Sequence, residues 1–236
     1  MNGWPLDGKS RYHTAGEFSE RPVKSRVRLP QNLPPPTGFG PPACVGMSRR
    51  EFWSTNMSYS DRSVDFARDR NYAEVTRQLV VDRVKIGRIV EVGTGSGAYL
   101  SFLAGLFTVE LRGSDIPNPR LDRARVSHPD LIFEEGDALS TVQKYGSTAT
   151  RFLATFVLGN LATHELEDLF DRISFANASL TFCAKGTADR QAPALDDPYH
   201  DYIALIGYAR LKIAHQHIRA SRSDPSASIY IMTVTT

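Results

Sequence analysis

Only two cysteines, Cys44 and Cys183, occur in 236 residues. They lie far apart and match no metal-ligand spacing, so a disulfide framework or a cysteine-held metal is not expected; one disulfide stays open. No apolar run approaches the roughly 20 residues that a bilayer-spanning helix needs. Neither sign of charge is in excess, because 28 basic side chains face 26 acidic ones for a formal net charge of +2. Binding a phosphate backbone needs a clustered basic face, so nothing electrostatic favours nucleic acid as the main partner. The first ten residues lack the apolar core of a secretory signal, and Asp7, Glu17 and Glu20 oppose a transit peptide. A cytoplasmic chain with no nucleic-acid or membrane partner is the expectation.

With 41% hydrophobic residues, the chain can bury one core. Residues 1–46 carry little periodicity and end in Leu33-Pro-Pro-Pro-Thr-Gly-Phe-Gly-Pro-Pro42, which forbids a regular helix or a central strand. This arm is read either as an extended leader or as a lid, with Trp4, Tyr12, Phe18 and Phe39 available to pack. Residues 47–84 read as a helical cap. Ser48 with Glu51 fits a capping box, Ser60 or Asp61 caps a second helix through Val64, Phe66 and Ala67, and Asn71–Val84 sets Tyr72, Val75, Leu79 and Val80 on one face.

Residues 85–236 alternate strands and helices. Arg88-Ile-Val-Glu-Val runs straight into Gly93-Thr-Gly-Ser-Gly97 and then into apolar residues at helical spacing from Ala98. A strand, a glycine turn and a helix amino terminus make a nucleotide-type cradle, because backbone N–H groups face whatever lies over the turn. Further strands are read at 107–115, 131–137, 151–158 and 179–184, with helices at 118–126 and 164–173. The tail reads as a helix over 199–208 and two strands, 210–218 and 228–235, joined by a loop too short for a crossover. Two strands joined that way are most easily antiparallel. The prediction is an α/β, doubly wound, mostly parallel seven-stranded sheet ending in an antiparallel hairpin.

Acids close successive strands: Glu91 at the first, Asp115 at the second, Asp137 after the third. In a parallel sheet they share the carboxyl edge, where such folds bind ligands. The pattern resembles the class I S-adenosylmethionine-dependent methyltransferases over residues 75–236. The acid-x-Gly-x-Gly-x-Gly motif stands as Glu91-Val-Gly93-Thr94-Gly95-Ser-Gly97, the ribose acid as Asp115 followed by Ile116, and the Gly-Asp-Ala motif as Gly136-Asp137-Ala138. The segment after the fourth strand, with Phe156, matches the family's region beside the methyl group. The resemblance implies S-adenosylmethionine as methyl donor, S-adenosylhomocysteine as product, and Glu91, Gly93, Thr94, Gly95, Gly97, Asp115, Ile116, Asp137, Ala138 and Phe156 as donor-binding residues. Gly93-x-Gly95-x-x-Ala98 also satisfies a loose dinucleotide pattern, which keeps an NAD(P)-dependent oxidoreductase as an alternative. A non-catalytic donor-binding partner subunit is another.

Methyl transfer from a sulfonium is an in-line displacement in which positioning contributes most, and a base is needed only for a protonated nucleophile. His164, after the fourth strand, is the catalytic candidate, against the alternative of a surface histidine. Trp53, Tyr59 and His200 are candidates for the lid or the acceptor pocket, against ordinary packing. His215 and His217 read as plain strand residues sharing a face with Ile213. No carboxylate or histidine cluster has metal spacing, so the chemistry is expected to be metal-independent. The fourth strand lacks an Asn-Pro-Pro-Tyr segment and no paired-glutamate loop is recognisable, which leaves a small molecule, methylated on nitrogen or oxygen, as the expected acceptor. A monomer or homodimer is expected.

Overall fold

The computed structural model describes residues 64–186, 200–222 and 227–236. The arm over 1–46, the helix capped at Ser48 and the residues Trp53 and Tyr59 lie outside the described residues. Those described belong to one compact unit.

Parallel strands here are short apolar runs that each end where a helix must begin. β1 (Arg88–Val92), β2 (Glu110–Asp115), β3 (Ile132–Glu135), β4 (Thr150–Thr155) and β5 (Ser179–Gly186) run parallel to one another. β6 (Lys212–Ala220) and β7 (Ser228–Thr235) form the antiparallel hairpin, and β7 pairs antiparallel with β5. The order is β3-β2-β1-β4-β5-β7-β6, so the winding reverses between β1 and β4. In open α/β sheets ligands bind outside the carboxyl ends of the strands at such a reversal.

Helices cover both faces. α1 (Arg70–Val81), α2 (Ala98–Ala104) and α3 (Pro119–Ser127) bury Val75, Leu79, Leu100, Leu103 and Leu121 against Ile89, Leu153 and Ile231. α4 (Ala138–Tyr145), α5 (Thr163–Phe175) and α6 (Tyr202–Tyr208) cover the opposite face, where Phe152, Phe170, Phe182, Tyr202 and Tyr230 pack. The doubly wound architecture is as expected.

Some boundaries differ, for local reasons. The helix expected through Val64, Phe66 and Ala67 is a turn in its described part, and α1 starts at Arg70 because Asp69 accepts hydrogen bonds from the N–H groups of Asn71 and Tyr72. α4 is not among the expected elements. Its apolar positions are few and Asp137 is its cap rather than the end of a strand. β4 stops at Thr155 instead of 158, because Phe156 takes a left-handed backbone (φ 59°) and Leu158–Asn160 form a 3-10 turn. In β6 a bulge between Ile213 and His215 interrupts the alternation. Ile213 therefore pairs with Val234 on the α5–α6 side, whereas His215 and His217 pair with Thr233 and Ile231 on the α1 side. The shared face expected for the three does not form.

Candidate active site

Glu91 ends β1 beside the reversal point, only 2% exposed. Thr94 Oγ1 donates to Glu91 Oε2 at 2.8 Å and Thr155 Oγ1 donates to Oε1 at 3.4 Å. Burial pushes the carboxyl up to about 8; the two threonines pull it down and Asp115 pushes it further up. A group held above its usual 4.5 binds its proton more tightly in the folded chain. Its effect is therefore least unfavourable at acid pH and grows as pH rises through the window up to about 8. Thermal melts of Glu91→Gln should gain on the parent steadily from pH 5 to pH 8. A difference independent of pH would mean that Glu91 is not held protonated.

The glycine turn follows. Gly93, Gly95 and Gly97 all have positive φ, from 56° to 74°, a region that side chains disfavour. They are glycines for different reasons. A Cβ on Gly93 would lie 2.2 Å from Val157 Cγ2, and one on Gly97 2.5 Å from Phe133 Cζ, both core-facing neighbours. At Gly95 the nearest atom would be Arg120 Nη2, at 2.7 Å on a long flexible side chain. The sequence reading assigns all three to ligand access. Partly or fully buried side chains press on Gly93 and Gly97, whereas at Gly95 the neighbour is the far end of the Arg120 side chain.

Asp115 closes β2 and accepts the Gly95 N–H at 2.8 Å through Oδ2. Burial raises its carboxyl above the usual range, against hydrogen bonds from the N–H groups of Gly95 and Ile116 and the charge of Arg120. It does not cap the next helix. Asn118 does that, accepting from Arg120 and Leu121, while donating to the Ile116 carbonyl at 2.6 Å. Asp137 does serve as a cap: its Oδ1 accepts the Ser140 N–H at 2.8 Å, and Ala138 is buried behind it. Ser114, unnoticed in the sequence, donates to the Gly136 carbonyl at 3.1 Å and pairs with Thr141 at 2.7 Å, tying that loop to β2.

An aromatic wall stands beside Glu91. The Tyr72 ring lies edge-on to Tyr99 at 4.6 Å, to Phe66 at 4.9 Å and to Phe156 at 6.3 Å. Burial first, then Glu91, raises the Tyr72 hydroxyl far above its usual range. Phe156 is 39% exposed despite its size, and its N–H donates to the Cys183 carbonyl at 2.7 Å. A bulky residue with φ near +59° is strained, and such strain concentrates at functional sites. Tyr72 reads in the sequence as a packing residue, since an apolar helix face does not reveal which of its members meets the sheet edge.

The histidines separate. His164 is exposed on the first turn of α5, which follows the β4 connection, and its side chain makes no hydrogen bond or ion pair among the described residues. His200, a candidate for the acceptor pocket, is instead 3% exposed. Its Nε2 lies 3.0 Å from the Leu161 carbonyl, and its backbone bridges Gly186. It fastens the end of β5 to the β4–α5 connection. His215 lies 3.3 Å from Asp82, away from the glycine turn. Among the described residues no helix is long and apolar enough to cross a membrane.

No family model matches the sequence, and no curated protein matches it. Solved structures match in fold. Magnesium protoporphyrin IX methyltransferase from Synechocystis PCC 6803, with S-adenosylhomocysteine bound, gives a TM-score of 0.53 at 18% identity over 75% of this chain and 91% of that one. Geranyl diphosphate C-methyltransferase from Streptomyces coelicolor, with Mg2+, geranyl diphosphate and S-adenosylhomocysteine, gives 0.54 at 11% identity over 68% and 77%. A Leishmania major S-adenosylmethionine-dependent methyltransferase gives 0.52 at 11% identity over 68% and 70%. With its sheet order, terminal hairpin and glycine turn, the chain has the class I S-adenosylmethionine-dependent methyltransferase fold.

Proposed function

We propose that the protein transfers a methyl group from S-adenosylmethionine to a nitrogen or oxygen of a small molecule, without a metal. The observation that supports this most is the meeting of buried Glu91, the left-handed glycine turn and Asp115, which accepts the Gly95 N–H, at one sheet edge. The fold's solved neighbours are named for a magnesium porphyrin and for geranyl diphosphate, both small acceptors. Bound at this edge, the donor supplies a methyl carbon already activated by its sulfonium charge.

This chain's residues then hold the reactants in line, which is the larger part of such catalysis. Asp115 accepts the two ribose hydroxyls. Glu91 offers a carboxylate to the donor's ammonium, a counter-ion that its burial otherwise denies it. Tyr72 and Phe156 present aromatic rings suited to a sulfonium. Where the acceptor starts protonated, His164, in the connection that leaves the same sheet edge, takes the proton.

Calorimetry with S-adenosylhomocysteine and with NAD tests the reading. The expected result is binding of the former alone. Binding of NAD alone would make the protein a nicotinamide oxidoreductase, and S-adenosylhomocysteine binding without turnover on broad acceptor panels would make it a partner subunit. Asp115→Ala is expected to weaken S-adenosylhomocysteine binding by about 1–3 kcal/mol, through two lost charge-assisted hydrogen bonds. Undiminished affinity in that variant would remove Asp115 from the ribose role.

A further inference from the structure

Arg120 lies where a ligand over the glycine turn would lie. Its backbone is fixed in the first turn of α3, where Asn118 accepts its N–H at 2.9 Å. Its side chain reaches back across Gly95, with Nη2 and Cζ 2.7 Å and 3.1 Å from the place of a Cβ there. The Gly95 N–H donates to Asp115, and the Arg120 charge in turn acts on Asp115 and on Tyr72. Glycine, carboxylate and guanidinium thus form one cluster over the turn. A flat guanidinium can lie against a glycine backbone that any Cβ would hold off.

We propose that Arg120 is a latch on this cradle: in the free protein its guanidinium covers Gly95 and stands as counter-charge to Asp115, and it swings out before a nucleoside can be seated there. The proposal rests on the donor-site reading above. Gly93 and Gly97 are closed by Val157 and Phe133, which pack against the core, whereas the group over Gly95 is the far end of a long side chain with several rotatable bonds. Opening exchanges an Arg120–Asp115 attraction for ligand contacts, so binding draws on the unlatched fraction of the population. If that fraction is one in ten, the latch lowers apparent affinity about tenfold.

The experiment compares the parent with Arg120→Ala and Arg120→Gln, by stopped-flow and calorimetric titration with S-adenosylhomocysteine. Both variants should bind about tenfold more tightly, through faster association with dissociation little changed. Weaker or unchanged binding would overturn the latch and make Arg120 a ligand contact or a bystander. Amide hydrogen exchange at Gly95 in the ligand-free proteins gives a second reading. It should speed up in both variants, and unchanged exchange overturns the latch whatever the ligand. A parent protein that binds no S-adenosylhomocysteine, yet exchanges at Gly95 as expected, would fail the donor reading and leave the latch standing.

Discussion

Asp82→Ala is expected to destabilise the fold by about 3–5 kcal/mol, because it leaves a buried guanidinium without its counter-ion. Asp82 follows α1, and Arg151 lies on β4 with its side chain only 4% exposed. Arg151 Nη2 meets Asp82 Oδ2 at 3.0 Å, Nε donates to Ser179 Oγ at 2.7 Å and Nη1 to Thr181 Oγ1 at 2.9 Å. Thr181 pairs with Thr233, which donates to Gln78 Oε1 at 2.9 Å, so the ion pair is one end of a polar chain joining α1 to three strands. Burial alone would raise the Asp82 carboxyl, but hydrogen bonds from Arg151 and His215 outweigh it and hold the group below its usual range. The stabilisation is therefore complete above the ordinary aspartate range and lost as pH falls below it. Urea unfolding at neutral pH checks the magnitude. The double variant Asp82→Leu with Arg151→Met should recover much of the loss, since an apolar pair carries no stranded charge. A single-variant loss under about 1 kcal/mol would show that water reaches Arg151.

Gly93→Ala is the second large effect, expected at about 2–5 kcal/mol. An alanine forced into a left-handed backbone costs roughly 1–2 kcal/mol, and overpacking adds about 1–3 kcal/mol. Here φ is +68° and the new Cβ would sit 2.2 Å from Val157 Cγ2, so both penalties apply. The two are separable. Adding Val157→Ala should return the overpacking part and leave the backbone part, as read by thermal melting of both variants. If Val157→Ala restores nothing, the backbone alone is the reason for glycine. Gly95→Ala should cost the fold less, since its nearest neighbour is the movable end of Arg120.

The cradle was legible in the sequence because its determinants are local. A β-prone run, glycines at alternate positions and an apolar helix dictate strand, left-handed turn and helix without help from distant residues. Asp115 was legible through its place at the end of the next strand, and the hairpin through its short connection. α4 was not, since Ala138, Thr141 and Val142 make too short an apolar pattern to separate a helix from a loop. The β6 bulge was not either, because an extra residue leaves the composition of a strand unchanged while turning its side chains over.

By itself, then, the chain's amino-acid order determined the architecture, the glycine turn after β1, and the placing of Glu91 and Asp115 at the carboxyl ends of neighbouring strands. Only tertiary structure decided which distant side chain meets each glycine, that Tyr72 joins the wall beside Glu91, that Arg120 lies over the turn, and that His200 is buried against the Leu161 carbonyl. The physical reason is separation along the chain. Val157, Phe133 and Arg120 meet the glycines only after the strands pair and the helices dock, and no local pattern records which distant side chain will fill a given space.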